Sequence, residues 1–443
     1  MRKAEPLHPD DRALRSRVTE AEQTDEDDER GLEDVSKVFV LGAGLMGPAV
    51  ASDLVKHRIA DHVIVADIDP ARAAEAARAA QECAVRPRTD RQGTGAAAAA
   101  APAEVRCEGM ALDLRDRRAL VEAMRRVDVV AGAYPVAAVR EVTEAALEAG
   151  VHLCDLTGSA EGFDIFDYDE EARRAGVILV PGCGLAPGLT NALAGQGASR
   201  LEPPLRGVLY VGGLPQDPRP PLGYRLVFSI ETLLDEYVAP SLIVRDGVTI
   251  EAPALDGLEE IEFPEPVGRC EAFYTYGLGT LARTGPEMGF QELSEKTVRY
   301  PGHRDKVLFL RQCGLLSQQP VPVDGVEVVP RRLTAAVLTP LLRQGDEADV
   351  SVLRVVVEGR KAGRTARVTF EMVDFYDREA RVTSMARTTG YTCSIIIGMV
   401  LRGRFGGPGV APLERVFADA DRYAELREEL ARRDMVVTER TDG

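Results

Sequence analysis

Six residues, Gly42-Ala43-Gly44-Leu45-Met46-Gly47, follow the apolar run Val38–Leu41 and precede a helix-like stretch. A second apolar run, Val63–Ala66, ends at Asp67, twenty residues past Gly47. Each part has a job in holding a dinucleotide. Gly42 permits the tight turn out of the strand, Gly44 leaves the backbone open to a pyrophosphate, and Gly47 lets helix and strand pack closely. The N–H groups of Leu45, Met46 and Gly47, at the start of the helix, face the phosphates, and Asp67 accepts hydrogen bonds from a ribose diol. A carboxylate there repels a 2′-phosphate, so the expected cofactor is NAD rather than NADP; Arg58 and Arg72 are the cations that could still answer a phosphate.

Other candidates come from asking which loops follow the strands. In an open parallel sheet the site lies outside the carboxyl ends of the strands. That points to Ala133-Tyr134-Pro135, to Asp155-Leu156-Thr157-Gly158 and to the turn Gly182–Gly188. Tyr134-Pro135 either borders the nicotinamide ribose or is a plain turn. Asp155 is either a site carboxylate or a cap for Thr157 and Gly158. Asp113 either meets the adenine end or caps a helix before Arg117. Of five histidines, only His303, in Tyr300-Pro301-Gly302-His303, lies on a turn of the later half.

The elements that position these residues follow from the hydrophobic pattern. Runs at Val38–Leu41, Val63–Ala66, Val105–Leu112, Val127–Ala133, Val151–Leu156 and Val177–Val180 alternate with helical stretches such as Arg117–Arg126 and Val136–Leu147. This order predicts an α/β fold, a Rossmann doubly wound parallel sheet over 36–184. A low-complexity stretch at 86–103 reads as a surface insertion. After Pro187 the texture changes to widely spaced β-like runs, Leu205–Val211, Tyr224–Ser229, Ser241–Val244, Val352–Val357 and Ala366–Phe370. A second α+β domain over 185–385 with a mostly antiparallel sheet is expected, followed by a helical segment at 386–443.

The chain has 443 residues and a net charge of −17, which argues against a nucleic-acid surface. Much of the charge sits in the leader 1–35, read as a disordered tail. No signal peptide or membrane span is evident, so a cytoplasmic protein is expected. The seven cysteines form no C-x-x-C pair, so neither a disulfide framework nor a metal site is indicated.

The chain resembles the saccharopine dehydrogenase family in Gly42–Gly47, Asp155–Gly158, Gly184–Asn191 and Met385–Tyr391. Within it, Gly212–Pro215, Pro220–Glu231, Asp235–Tyr237, Glu271–Phe273, Leu281–Thr284 and Lys296–His303 resemble the lysine 6-dehydrogenase branch. The resemblance runs from Val38 to about Pro412. It implies a Rossmann domain, an inserted substrate domain and a C-terminal segment returning to the first domain. It also implies NAD-dependent oxidation of the carbon bearing the ε-amine of lysine, with release of ammonia and cyclisation of the semialdehyde to piperideine-6-carboxylate.

Such chemistry needs a base, because an ammonium has no lone pair to support departure of a hydride. Glu231, Asp235, Asp155 and His303 are the candidates. Arg225, Arg283 or Arg299 would hold a substrate carboxylate, an acid such as Asp235 the α-ammonium, and Tyr237 and Tyr300 would orient the substrate. Glu231, Asp235 and Glu236 equally suit the solvated face of a helix starting near Ser229. Two other readings stand beside the first: a C–N oxidoreductase of the saccharopine or carboxynorspermidine type, and a cofactor-binding sensor without turnover. A homo-oligomer is expected, with a small amino-acid substrate and no membrane or nucleic-acid partner.

Overall fold

The computed structural model describes residues 35–85, 105–158, 162–227, 229–343 and 348–443. The leader up to residue 34 and the low-complexity insertion lie outside the described residues. Strands β1 (Lys37–Leu41), β2 (His62–Asp67), β3 (Arg106–Ala111), β4 (Val129–Gly132), β5 (His152–Asp155) and β6 (Ile178–Val180) are joined in parallel in the order β3-β2-β1-β4-β5-β6. From Val38 to Leu41, β1 is essentially inaccessible, as a parallel strand covered on both faces must be. Its period of two sends Val38 and Val40 to one core and Phe39 and Leu41 to another. The first core includes the helices Gly47–Lys56 and Ser384–Leu401; the second includes Arg117–Met124 and Val139–Ala149. The parallel, doubly wound sheet expected from the alternation of elements is the one observed.

The second sheet is built from β7 (Pro204–Pro215), β8 (Ser241–Arg245), β9 (Val248–Ala252), β10 (Glu259–Phe263), β11 (Gly268–Tyr274) and β12 (Glu292–Arg299), with later strands. A small hairpin, β13 (Val321–Val323) and β14 (Val326–Val328), stands apart. Then β15 (Asp349–Lys361), β16 (Arg364–Phe375) and β18 (Thr438–Asp442) complete a sheet in the order β10-β11-β12-β7-β15-β16-β18. Its pairs are antiparallel except β7 with β12, so the sheet is mixed. Of Tyr224–Ser229, read as β-like, none of the described residues is in a strand. Tyr224, Leu226 and Val227 fill an apolar cluster, and the Leu226 N–H goes to the Leu342 carbonyl, 3.0 Å, instead of to a ladder.

The C-terminal segment serves both layers. The helix Ser384–Leu401 packs on Gly47–Lys56, with Gly390 against Ala49 and Val50. Strand β17 (Gly409–Val410) extends the first sheet beside β6, whereas β18 (Thr438–Asp442) joins the second beside β16. No helix among the described residues is long and apolar enough to cross a membrane; the apolar run Ser394–Leu401 is instead the end of the helix buried between the layers.

Candidate active site

The glycine loop has the shape its sequence calls for. Gly42 adopts φ +110°, and a Cβ there would lie 2.3 Å from the Ala133 carbonyl. A Cβ on Gly47 would lie 1.8 Å from the Gly42 carbonyl, while Gly44 faces open space. No side chain caps the helix that begins at Gly47, so the Gly47 N–H, which precedes Pro48, remains available to an anion. At the end of β2, Asp67 accepts hydrogen bonds from the N–H of Ala43, 2.8 Å, and of Asp69, 2.9 Å. The carboxylate is therefore fixed beside the loop it serves. These residues fit a pyridine dinucleotide, which in this fold supplies a hydride-accepting or hydride-donating ring.

The ends of β4, β5 and β6 converge beyond that loop. A Cβ on Gly132 would meet both the Tyr134 ring, 2.7 Å, and the Asp155 carboxylate, 2.9 Å. Asp155 is buried and caps its own loop, accepting from Thr157 N at 3.1 Å and Gly158 N at 3.0 Å. Burial pushes its carboxyl up to about 6 against the pull of those two donors. Asp113 instead lies on the surface in a fork with Arg115, which holds its carboxyl down to about 2. The cap it was weighed for belongs to Asp116, which accepts from Ala119 N at 3.1 Å.

A second cluster is built on β12. Its period of two places Glu295, Thr297 and Arg299 on one face. Arg299 is 3% exposed; its Nη2 donates to Glu236 at 3.2 Å, and its guanidinium lies 4.6 Å over the Tyr224 ring. Tyr237, one residue past the helix Ile230–Glu236, has its hydroxyl 2.9 Å from His303 Nε2. His303 Nδ1 lies 3.1 Å from the Leu222 carbonyl, which can only accept, so Nδ1 carries the proton and Nε2 accepts from Tyr237. Burial, then the Arg299 cation, lowers the imidazole to about 3, leaving it neutral. Glu271 fixes the turn that presents His303 by accepting from Gly302 N, 2.8 Å, and Arg304 N, 2.6 Å. Glu295 is 2% exposed and accepts from the Thr275 hydroxyl at 2.7 Å; Thr275 in turn meets Thr297 at 3.0 Å. Burial raises Glu295 to about 8 and Glu236 to about 7; the Glu236 charge adds to the first shift and Arg299 opposes the second.

The two clusters are linked by the segment after β11. A Cβ on Gly277 would come within 2.5 Å of the Glu295 carboxyl, and one on Gly279 within 2.7 Å of Pro187. Pro187 abuts Gly182, and Gly182 abuts Gly158. Asn191 ties the same segment down by donating to the Leu278 carbonyl at 3.0 Å. Two residues of chain, at most about 7 Å, therefore separate the contact with Glu295 from the turn at the end of β6.

Tyr237, His303 and Arg299 meet in the second cluster, and Asp155 with Tyr134 closes the first. Other candidates lie elsewhere. Glu231 is exposed on the first turn of its helix, and Asp235 pairs with Arg331 on the same surface. Tyr300 donates to the Pro215 carbonyl at 3.1 Å and packs beside Val298 and Leu214, on the side of β12 away from Arg299. Arg283 pairs with Asp164, 2.8 Å, at the surface, and Arg225 lies near Asp349. Sequence reasoning treated Glu236 only as solvated and passed over Glu295 and Tyr224. The signal for Glu295 was its alternation with Thr297 and Arg299 along β12.

A dinucleotide loop, a doubly wound sheet and a buried acid/base cluster on a second, mixed sheet define a pyridine-nucleotide-dependent oxidoreductase. Residues 38–180 match the family profile described as saccharopine dehydrogenase NADP binding domain, and residues 184–436 that described as saccharopine dehydrogenase C-terminal domain. The chain belongs to the saccharopine dehydrogenase family. A curated relative, saccharopine dehydrogenase [NADP(+), L-glutamate-forming] of Schizosaccharomyces pombe, is 27% identical over 165 residues, 36% of this chain and 36% of that protein. The solved apo saccharopine dehydrogenase (L-Glu forming) from Saccharomyces cerevisiae shares the fold at a TM-score of 0.70 and 19% identity, covering 92% of this chain and 100% of that one. Among the described residues no group of acids, histidines and cysteines could hold a metal ion.

Proposed function

We propose that the protein is an NAD-dependent amino-acid dehydrogenase that oxidises the amine-bearing terminal carbon of L-lysine or a lysine-like ω-amino acid. The observation that carries this reading is the buried cluster of Arg299, Glu236, Tyr237 and His303, set beyond the turn at the end of β6. A base at the nicotinamide end takes a proton from the ammonium, so that the nitrogen lone pair forms the C=N bond as the hydride leaves. Water then adds to the iminium carbon, and ammonia departs. Asp155 is the proposed base: it stands at the end of β5, and its raised carboxyl is matched to that task. Arg299 is the proposed anchor of the substrate carboxylate. His303, neutral and fully engaged, is a positioning residue that holds the Tyr237 hydroxyl.

The relative from Schizosaccharomyces pombe favours a second reading, oxidation of a secondary amine such as saccharopine. Saccharopine carries additional carboxylates, and this cluster buries a single arginine among the described residues. Asp67 favours NAD, since its charge repels a 2′-phosphate. Purified protein mixed with NAD or NADP and a panel of amines, followed at the NADH absorbance, tests the reading. Turnover of lysine with NAD is expected; a strict requirement for saccharopine, or for NADP, would overturn it.

A further inference from the structure

Glu295 has no part in the reaction as derived so far, yet it lies 2% exposed in the middle of the second cluster. Its neighbours on each packed element are known. Thr275 and Gly277 approach from the segment after β11, Glu236 and Tyr237 from the end of the helix Ile230–Glu236, Thr297 and Arg299 from β12 itself, and Tyr224 and His303 from beyond Arg299. Tyr276 senses the same acids, and Asp235 and Arg331 pair at the rim. Two carboxyls, Glu236 and Glu295, therefore share one buried cation, Arg299. The cluster holds an excess of acid. It also holds an unmet donor: the Arg299 Nε–H is buried and has no hydrogen-bond partner among the described residues. A buried surplus of carboxyl groups beside an orphaned guanidinium N–H is complementary to a ligand carrying an ammonium and a carboxylate on one carbon.

We propose that this face of β12 is the subsite for the head group of an α-amino acid, with Glu295 and Glu236 holding the α-ammonium and the Arg299 Nε–H the α-carboxylate. The inference rests on the amino-acid dehydrogenase reading and adds to it a recognition site for the amine that does not react. Thr275 and Thr297 orient Glu295 toward the ligand, and the chain segment Gly277–Gly279 sets the distance to the nicotinamide end. Ammonium binding draws both carboxyls into their charged forms, so binding at neutral pH releases protons.

Titration calorimetry of the NADH-loaded full chain with L-lysine and with 6-aminohexanoate, which lacks the α-amine, tests the assignment. L-Lysine should bind roughly 10- to 100-fold more tightly, with a heat that changes between buffers of different ionisation enthalpy. Glu295→Gln should erase the preference for lysine over 6-aminohexanoate. Glu236→Gln tests the same point if that variant does not fold, and the native comparison needs no variant. Equal binding of the two ligands by the native protein, or an undiminished preference in Glu295→Gln, overturns the head-group assignment. If lysine is still oxidised in that case, the dehydrogenase reading stands alone. Absence of any lysine binding ends both.

Discussion

Arg433 offers a test of how the C-terminal segment holds the cofactor domain. It lies past the helix Ala420–Ala431, yet its Nε donates to Asp53 on the helix Gly47–Lys56 at 2.8 Å, and both side chains are 0% exposed. It also donates to the Glu429 carbonyl at 2.8 Å and carboxylate at 2.7 Å. Arg433→Met removes the cation and leaves Asp53 buried with His57 at 3.4 Å as its remaining basic neighbour. Burial lowers the His57 imidazole below its usual range, so His57 replaces the lost charge poorly. Breaking one side of such a pair costs about 3–5 kcal/mol, which in a chain of this size lowers the melting temperature by roughly 3–6 °C. Asp53→Asn combined with Arg433→Met removes the stranded charge and should recover about 1–3 kcal/mol of the loss. Differential scanning calorimetry at fixed pH and salt measures all three proteins. A double variant as unstable as Arg433→Met, or a single variant within about 1 kcal/mol of native, would refute the reasoning.

Asp67→Ser should narrow the preference for NAD over NADP by about tenfold or more, read as the ratio of kcat/KM values; an unchanged ratio places the discrimination elsewhere. Asp155→Asn should lower kcat by roughly 10²- to 10⁴-fold. In the native enzyme kcat/KM should fall as pH drops through about 6, because the base must be ionised, and a flat acid limb would remove Asp155 from that role. Glu295 sits at about 8 in the folded protein against an ordinary 4.5, so the folded state binds the extra proton and stability should decline as pH rises between those values. Urea titrations of Glu295→Gln should show a shallower decline across that window; an equal slope counts against it. Tyr237→Phe leaves His303 Nε2 without its donor and should cost about 1–3 kcal/mol, whereas Glu231→Gln on the exposed helix face should change stability by less than about 0.5 kcal/mol and leave turnover intact.

The amino-acid sequence alone determined the cofactor half. Strand, glycines, helix, strand and Asp67 lie within a single βαβ unit, where local spacing dictates geometry. Gly42 and Gly47 occupy places that no Cβ would fit. The second domain was legible as a change of texture, and its central strands as apolar runs. Its edges were not: β18 reads Thr-Glu-Arg-Thr-Asp and is fully exposed, so nothing in its composition marks a strand, and only pairing with β16 makes it one. The same holds for the site. Glu231, Asp235 and Glu236 are near neighbours on one short helix, and sequence cannot say which one turns inward. Packing against β12 turns Glu236 toward Arg299 and leaves Asp235 to Arg331. Tyr224, Tyr237, Glu295, Arg299 and His303 come together because Arg299 of β12 meets Glu236 at the end of that helix, a contact between distant parts of the chain. Burial of those charges, which sets their protonation, exists only once the tertiary structure has excluded water from them.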